Sequence, residues 1–228
     1  SRRWQHRASV PEFLDFKIKD RKSWEAAKER MQLDEDRVNW AQLEEHYPAW
    51  VESGAYLTLS VWGVGYDVCG NRVVGTERFL MALVEDPEWC RDVMSYCAHM
   101  AVHFGELLMQ RGYDFDAITI PDDLGYRNGL LFSPATFDAT VREGHEILCD
   151  FAKRHTKARW LHSCGNIMAL MPRLVEIGWN VLNPLEIKAG MDPLRLKEEY
   201  GEVLTLEGGI DVRTMTDLAA MEEEVASK

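Results

Sequence analysis

From about residue 54 onward the sequence alternates short β-rich runs with long helical patterns, and this alternation limits the available folds more than any other feature. Parallel strands require crossover connections, and helices placed in those crossovers cover the sheet on both faces. The strand candidates are AYLTLSVWG, DAITIPD, ARWLHSC, WNVLNPLE and EVLTLEGGI, each nearly continuously apolar, as doubly covered strands should be. Helix starts are punctuated alike. Asp86-Pro87 opens a stretch running to about Arg111, Ser133-Pro134 opens the next, and Asp192-Pro193 repeats the device. In each, a capping side chain precedes a proline at the first helical position. Gly112, Gly178 and Gly201 follow helical runs, where a left-handed residue closes the last turn.

Five such β/α units with short connections suit either a barrel or a doubly wound sheet. No GxGxxG or Walker-type loop follows any strand, so the α/β architecture expected is a (β/α)8 TIM barrel. A complete barrel takes about 250 residues. This sequence opens in polar residues and ends in TDLAAMEEEVASK, so we expect an incomplete barrel, a piece of a longer protein. Residues 1–228 are read as one barrel domain, with 54–228 supplying about five β/α units. Residues 1–53 pack on it: VPEFLDFKIKD reads as extended, and RKSWEAAKERM as a helix presenting Trp24, Ala27 and Met31 at core-facing spacing.

With 228 residues, 46% of them apolar, the chain can bury a sizeable core. A net charge of -12, with Lys and Arg scattered among acids, leaves no basic footprint for nucleic acid or an anionic membrane. No apolar run approaches the roughly 20 residues of a bilayer span. SRRWQHRASV lacks the apolar segment of a signal peptide, and a cytoplasmic address follows. Cys69, Cys90, Cys97, Cys149 and Cys164 form no short-spaced framework, so the thiols are read as reduced, four of them structural.

In β/α barrels the chemistry sits at the C-terminal ends of the strands, and here those ends carry residues that a core would not require. One ends in Asp122-Asp123, the next in His162 and Cys164, the next in Asn183 and Glu186, the last in Glu207 and Asp211. Because a strand alternates its side chains, His162 and Cys164 share a face, and an imidazole beside a thiolate is how a zinc site begins. Taken alone, the pair reads more plainly as a hydrogen-bonded histidine next to a small buried thiol. Asp122 and Asp123 cannot both be buried and ionised without partners. They read either as loop caps ahead of Gly125, or as a general acid, base or substrate anchor with Tyr126 and Asn128 on the following loop. Glu186 reads equally as a metal ligand, a proton carrier or an ordinary loop carboxylate. His99 and His103, four apart on a helix with no acid between them, read as packing or solvent-facing residues.

Taken in order, DDLGYRNGLLFSP, LHSCGN, NPLEIKAGMDPLRLKEEYG and LEGGID resemble the uroporphyrinogen decarboxylase superfamily over about residues 55 to 228. The resemblance implies a β/α barrel, of which this chain supplies the third to seventh strands. It also implies one of two chemistries: cofactor-free removal of carboxyls from uroporphyrinogen, or zinc-assisted methyl transfer between a corrinoid protein and a thiol or methoxylated compound. The arginine-rich RQAGR-type segment of the decarboxylases is absent, while Tyr66 in SVWGVGYD falls near the position of their tyrosine. HSCG looks like the HxCG of the methyltransferases, in which the histidine and cysteine bind zinc with a second cysteine from near the eighth strand. That third ligand would lie past Lys228.

The resemblance therefore implies His162 and Cys164 as zinc ligands, while the strand-end positions make Asp123, Glu186 and Asp122 the candidate catalytic carboxylates. Of these, Asp123 and Glu186 would stand behind the metal or touch substrate. Tyr66, by the resemblance, and Tyr126, Asn128, Asn183 and Asp211, by their places at the strand ends and the loop beyond, would contact substrate. A methyltransferase is the expected activity and a porphyrinogen decarboxylase the alternative; a non-catalytic ligand-binding barrel is a further one. The implied partners are a small-molecule substrate, a corrinoid protein and a second copy in a homodimer.

Overall fold

The computed structural model describes residues 15–61 and 65–210. Helix α1 (Arg21–Lys28) starts in a capping box, in which Asp20 accepts the Ser23 amide and Ser23 Oγ accepts the Asp20 amide. That start turns Trp24 and Ala27 into the core, with Met31 packed partly buried against it, as the spacing predicts. Helix α2 (Trp40–Glu52) has no counterpart in the sequence reading. None of its residues is fully buried and Pro48 interrupts it, so it carries no apolar stripe to detect. It is held instead by an aromatic edge: the Tyr47 hydroxyl donates to Asp114 O at 2.9 Å, and the Arg111 guanidinium lies 3.9 Å from the Trp40 ring centroid.

After these come β1 (Thr58–Ser60), α3 (Gly65–Val68), α4 (Thr76–Glu85), α5 (Pro87–Gln110), β2 (Ala117–Pro121) and a hairpin of β3 (Gly125–Tyr126) and β4 (Gly129–Leu130). Then follow α6 (Pro134–Thr136), α7 (Arg142–His155), β5 (Ala158–His162), α8 (Met171–Ile177), β6 (Val181–Leu185), α9 (Pro193–Tyr200) and β7 (Thr205–Gly208). The caps foreseen at Asp86, Ser133 and Asp192 all form, each side chain accepting an amide of the first turn. Gly112 and Gly178 take positive φ, but Gly201 stays right-handed at φ -60°. There the chain keeps turning, with the Val203 and Leu204 amides both donating to Tyr200 O, so no left-handed residue is called for.

The main sheet has the spatial order β1-β2-β5-β6-β7, every pair parallel. Neighbours in space follow chain order, which is how a barrel wall is built, whereas a doubly wound sheet reverses direction at a switch point. The expected continuous burial holds for β2 and weakens outward. β1 and β7 are largely exposed, since among the described residues each is paired along one side only. Among the described residues no helix is long and apolar enough to cross a membrane.

The largest helix contact in the outer layer is α5 against α7, which meet closely at Gly105. A Cβ there would lie 2.4 Å from Cζ of the Phe151 ring, itself fully buried. Alanine favours a helix interior over glycine by about 1 kcal/mol, yet overpacking a filled core costs about 1–3 kcal/mol. Gly105→Ala should therefore lower stability despite its better propensity, which urea unfolding would register as a reduced midpoint at unchanged slope.

Candidate metal centre

The register of β2, β5 and β6 sets Pro121 opposite His162 and His162 opposite Asn183, so these three strands end level. Two further backbone bonds hold the residues just beyond: the Asp122 amide donates to His162 O at 2.8 Å, and the Ser163 amide to Asn183 O at 2.7 Å. From this ledge Asp123, His162 and Cys164 point together, with one ligand atom from each lying within 4.8 Å of the others. The Cys164 Sγ to His162 Nε2 distance is 3.6 Å, and His162 Nε2 lies 3.9 Å from Asp123 Oδ1.

The sulfur–nitrogen separation fits a tetrahedral ion, while the 3.9 Å from nitrogen to the Asp123 oxygen exceeds the roughly 3.3 Å edge of such a site, so the carboxylate would have to move in to bind. With zinc bonds of about 2.3 Å to sulfur and about 2.05 Å to nitrogen, the S–N edge of a tetrahedron is about 3.5 Å. Each ligand is also backed by a second group. His162 Nδ1 meets Asn183 Oδ1 at 2.6 Å, which places the ring proton on Nδ1 and leaves the Nε2 lone pair facing the cluster. Asp123 Oδ1 accepts the Cys164 amide at 2.7 Å, and Glu186 Oε2 accepts the Gly165 amide at 3.1 Å. Asp123 and His162 each leave 38% of the side chain exposed, so the centre is open on one side.

Electrostatics distinguish this cysteine from a nucleophile. Burial, then the negative fields of Asp123 and Glu186 and hydrogen bonding of the thiol to both carboxylates, push Cys164 up to about 12. A thiol so placed stays protonated and unreactive near neutral pH unless a cation joins the cluster. The other cysteines are buried, as expected of structural thiols, and burial raises Cys90 to about 12 and Cys149 to about 11.

The remaining candidates divide. Glu186 stands between the cluster and a cleft of about 420 Å³ lined by Arg127, Pro184, Leu185, Ile187, Ala189 and Ile210 among others. Tyr126 and Asn128 are exposed on the β3–β4 hairpin beside that mouth, and Glu207 is exposed on β7. Asn183 holds His162, so its side chain faces the ligand rather than the cleft. Asp122 and Tyr66 are not brought to the mouth. Asp122 is fully buried, accepting the Asp67 amide at 2.8 Å and lying 2.8 Å from His145 Nε2. Tyr66 is buried between Phe79 and Phe132, and its hydroxyl has no hydrogen bond among the described residues. Burial, then the charges of Asp122 and Asp67, push its phenol up to about 12. Asp211 lies outside the described residues. His99 and His103 are exposed on α5, apart from any metal-type cluster among the described residues. His145, which the sequence reading passed over, carries a visible signal: it is the polar member of the buried face Gly144, His145, Leu148, Cys149 and Ala152 of α7.

Three comparisons bear on this geometry. The uroporphyrinogen decarboxylase (URO-D) family model matches residues 42–227. No curated protein matches the chain. Among solved structures, a methyltransferase from Methanosarcina mazei is similar with a TM-score of 0.50 and 18% sequence identity, over 63% of this chain and 40% of that one. The chain thus spans about 40% of the length of that structure, and the likeness is one of fold.

The turn carrying Cys164 depends on Gly165, at φ 80°. A Cβ at this position would lie 2.4 Å from backbone atoms of Gly125 and Tyr126, so the hairpin rests directly on the turn. Gly165→Ala should cost about 2–4 kcal/mol from strain and backbone clash together, read as a lowered midpoint in urea unfolding.

Proposed function

This chain belongs to the uroporphyrinogen decarboxylase (URO-D) family, and from that premise we propose that it provides the zinc-binding part of a methyltransferase that works with a corrinoid protein and a thiol or methoxylated compound. One observation carries the reading: an imidazole nitrogen, a thiol sulfur and a carboxylate oxygen converge within 4.8 Å at the level ends of adjacent parallel strands. Cofactor-free decarboxylation gives such a donor set no role. Zinc held there would lower the pKa of a bound thiol or polarise a methyl donor.

The chain's own residues do the rest. His162 and Cys164 hold the ion, and Asn183 keeps the imidazole in the tautomer whose Nε2 faces it. Asp123 offers its carboxylate as a third donor while fixing the Cys164 amide. The adjoining cleft, apolar along Pro184, Leu185, Ile187 and Ile210, takes the substrate body. Glu186, between the cleft and the cluster, is placed to take the proton that a substrate thiol releases. Arg127 at the cleft edge favours an anionic group on the far end of the substrate.

Metal analysis of the purified protein should find about one zinc per chain, lost in His162→Ala and in Cys164→Ala, and Asn183→Leu should weaken zinc binding by about 10–100-fold. Folded wild-type protein that takes up no zinc would overturn the metal reading. Methyl transfer from methylcobalamin to a thiol should depend on that zinc; carbon dioxide released from uroporphyrinogen with no metal added would favour decarboxylation instead.

A further inference from the structure

Behind the metal centre lies a buried chain of hydrogen bonds that the proposed chemistry does not use. The Trp179 indole N–H donates to His145 Nδ1 at 3.2 Å, and His145 Nε2 lies 2.8 Å from Asp122 Oδ2. Asp122 Oδ1 accepts the Asp67 amide, and the Asp122 amide donates to His162 O. Trp179, His145 and Asp122 are 2%, 1% and 0% exposed, so no water competes for these groups.

An indole nitrogen can only donate, so His145 Nδ1 must be the acceptor. The ring proton is then on Nε2, aimed at Asp122. A proton on Nδ1 would set one N–H against another, so the geometry selects the tautomer with its proton on Nε2. The ring is boxed in by Phe137, 5.6 Å between centroids, and by Trp179 edge-on at 5.8 Å, which removes other orientations. A buried carboxylate needs donors on both oxygens, and here the Asp67 amide and His145 supply them.

We propose that His145, held in one tautomer by Trp179, is a positioning residue for the centre. By anchoring Asp122 inward it fixes the end of β2 so that the next side chain, Asp123, turns to Cys164 and His162. The two aspartates are interchangeable in type, and His145 decides which is buried and which faces the mouth.

The role in metal binding rests on the proposed zinc reading, but the positioning itself is testable without metal. In zinc-free protein, ¹⁵N spectra should show the His145 proton on Nε2; a proton on Nδ1 would overturn the inference. The Cys164 amide, which Asp123 accepts, should exchange about tenfold faster in His145→Leu, and His145→Gln, which can still donate to Asp122, should restore most of the protection. Leu148→Ala, on the same buried face of α7, serves as the control for general destabilisation and should leave that amide protected relative to its neighbours. If His145→Leu does not fold, Trp179→Phe keeps the ring packing and removes only the donor, and it should mix the tautomers and speed the same exchange. Equal Cys164 protection in wild type and the folded variants overturns the proposal. Where wild type binds zinc, His145→Leu should bind it about 10–100-fold more weakly; unchanged affinity also overturns the proposal, while absence of zinc in wild type defeats only the metal reading.

Discussion

Parallel pairing of β2, β5 and β6 in a register that leaves Pro121, His162 and Asn183 side by side is the constraint from which the centre follows. With the strand ends level, the residue or two beyond each strand emerges at one height, and bonds from the Asp122 and Ser163 amides tie those exits together. A slip of one residue in β5 would send His162 to the opposite face and leave Asn183 with nothing to hold. The covering helices pack over these strands, α7 touching β5 and α5 lying against α7.

Much of this was legible in the sequence because it rests on local periods. The spacing of His162 and Cys164 put them on one side, and they do lie 3.6 Å apart, although β5 ends at His162 and Cys164 sits in the turn beyond it. Proline-led caps marked the helix starts at Pro87, Pro134 and Pro193, all of which form. What stayed illegible depends on distant partners. Nothing in DD says which aspartate turns inward; that is settled by His145, 23 residues later, and by the Asp67 amide, 55 residues earlier. Helix α2 escaped because its attachment is a set of aromatic edges and a cation on a ring rather than a buried stripe. Gly201 followed the bonds of its own turn, which a residue-type rule cannot foresee.

The paired aspartates also show how one chain gives two adjacent carboxyls different surroundings. Asp122 gives up water entirely and receives two donors in exchange, from the Asp67 amide and His145. Asp123 keeps part of its exposure and takes a single backbone donor, the Cys164 amide. One carboxylate is enclosed with a donor on each oxygen, and the other keeps an open side toward the His162 ring and the Cys164 thiol.

That imbalance explains why the cluster suits a cation better than it suits any reaction of its own side chains. Asp123 and Glu186 bring negative charge to a thiol that burial already keeps protonated, so Cys164 as a nucleophile would be working against its surroundings. His162 Nε2, the Cys164 sulfur and the Asp123 carboxylate would together hold a divalent ion, whose charge would favour the thiolate form of Cys164.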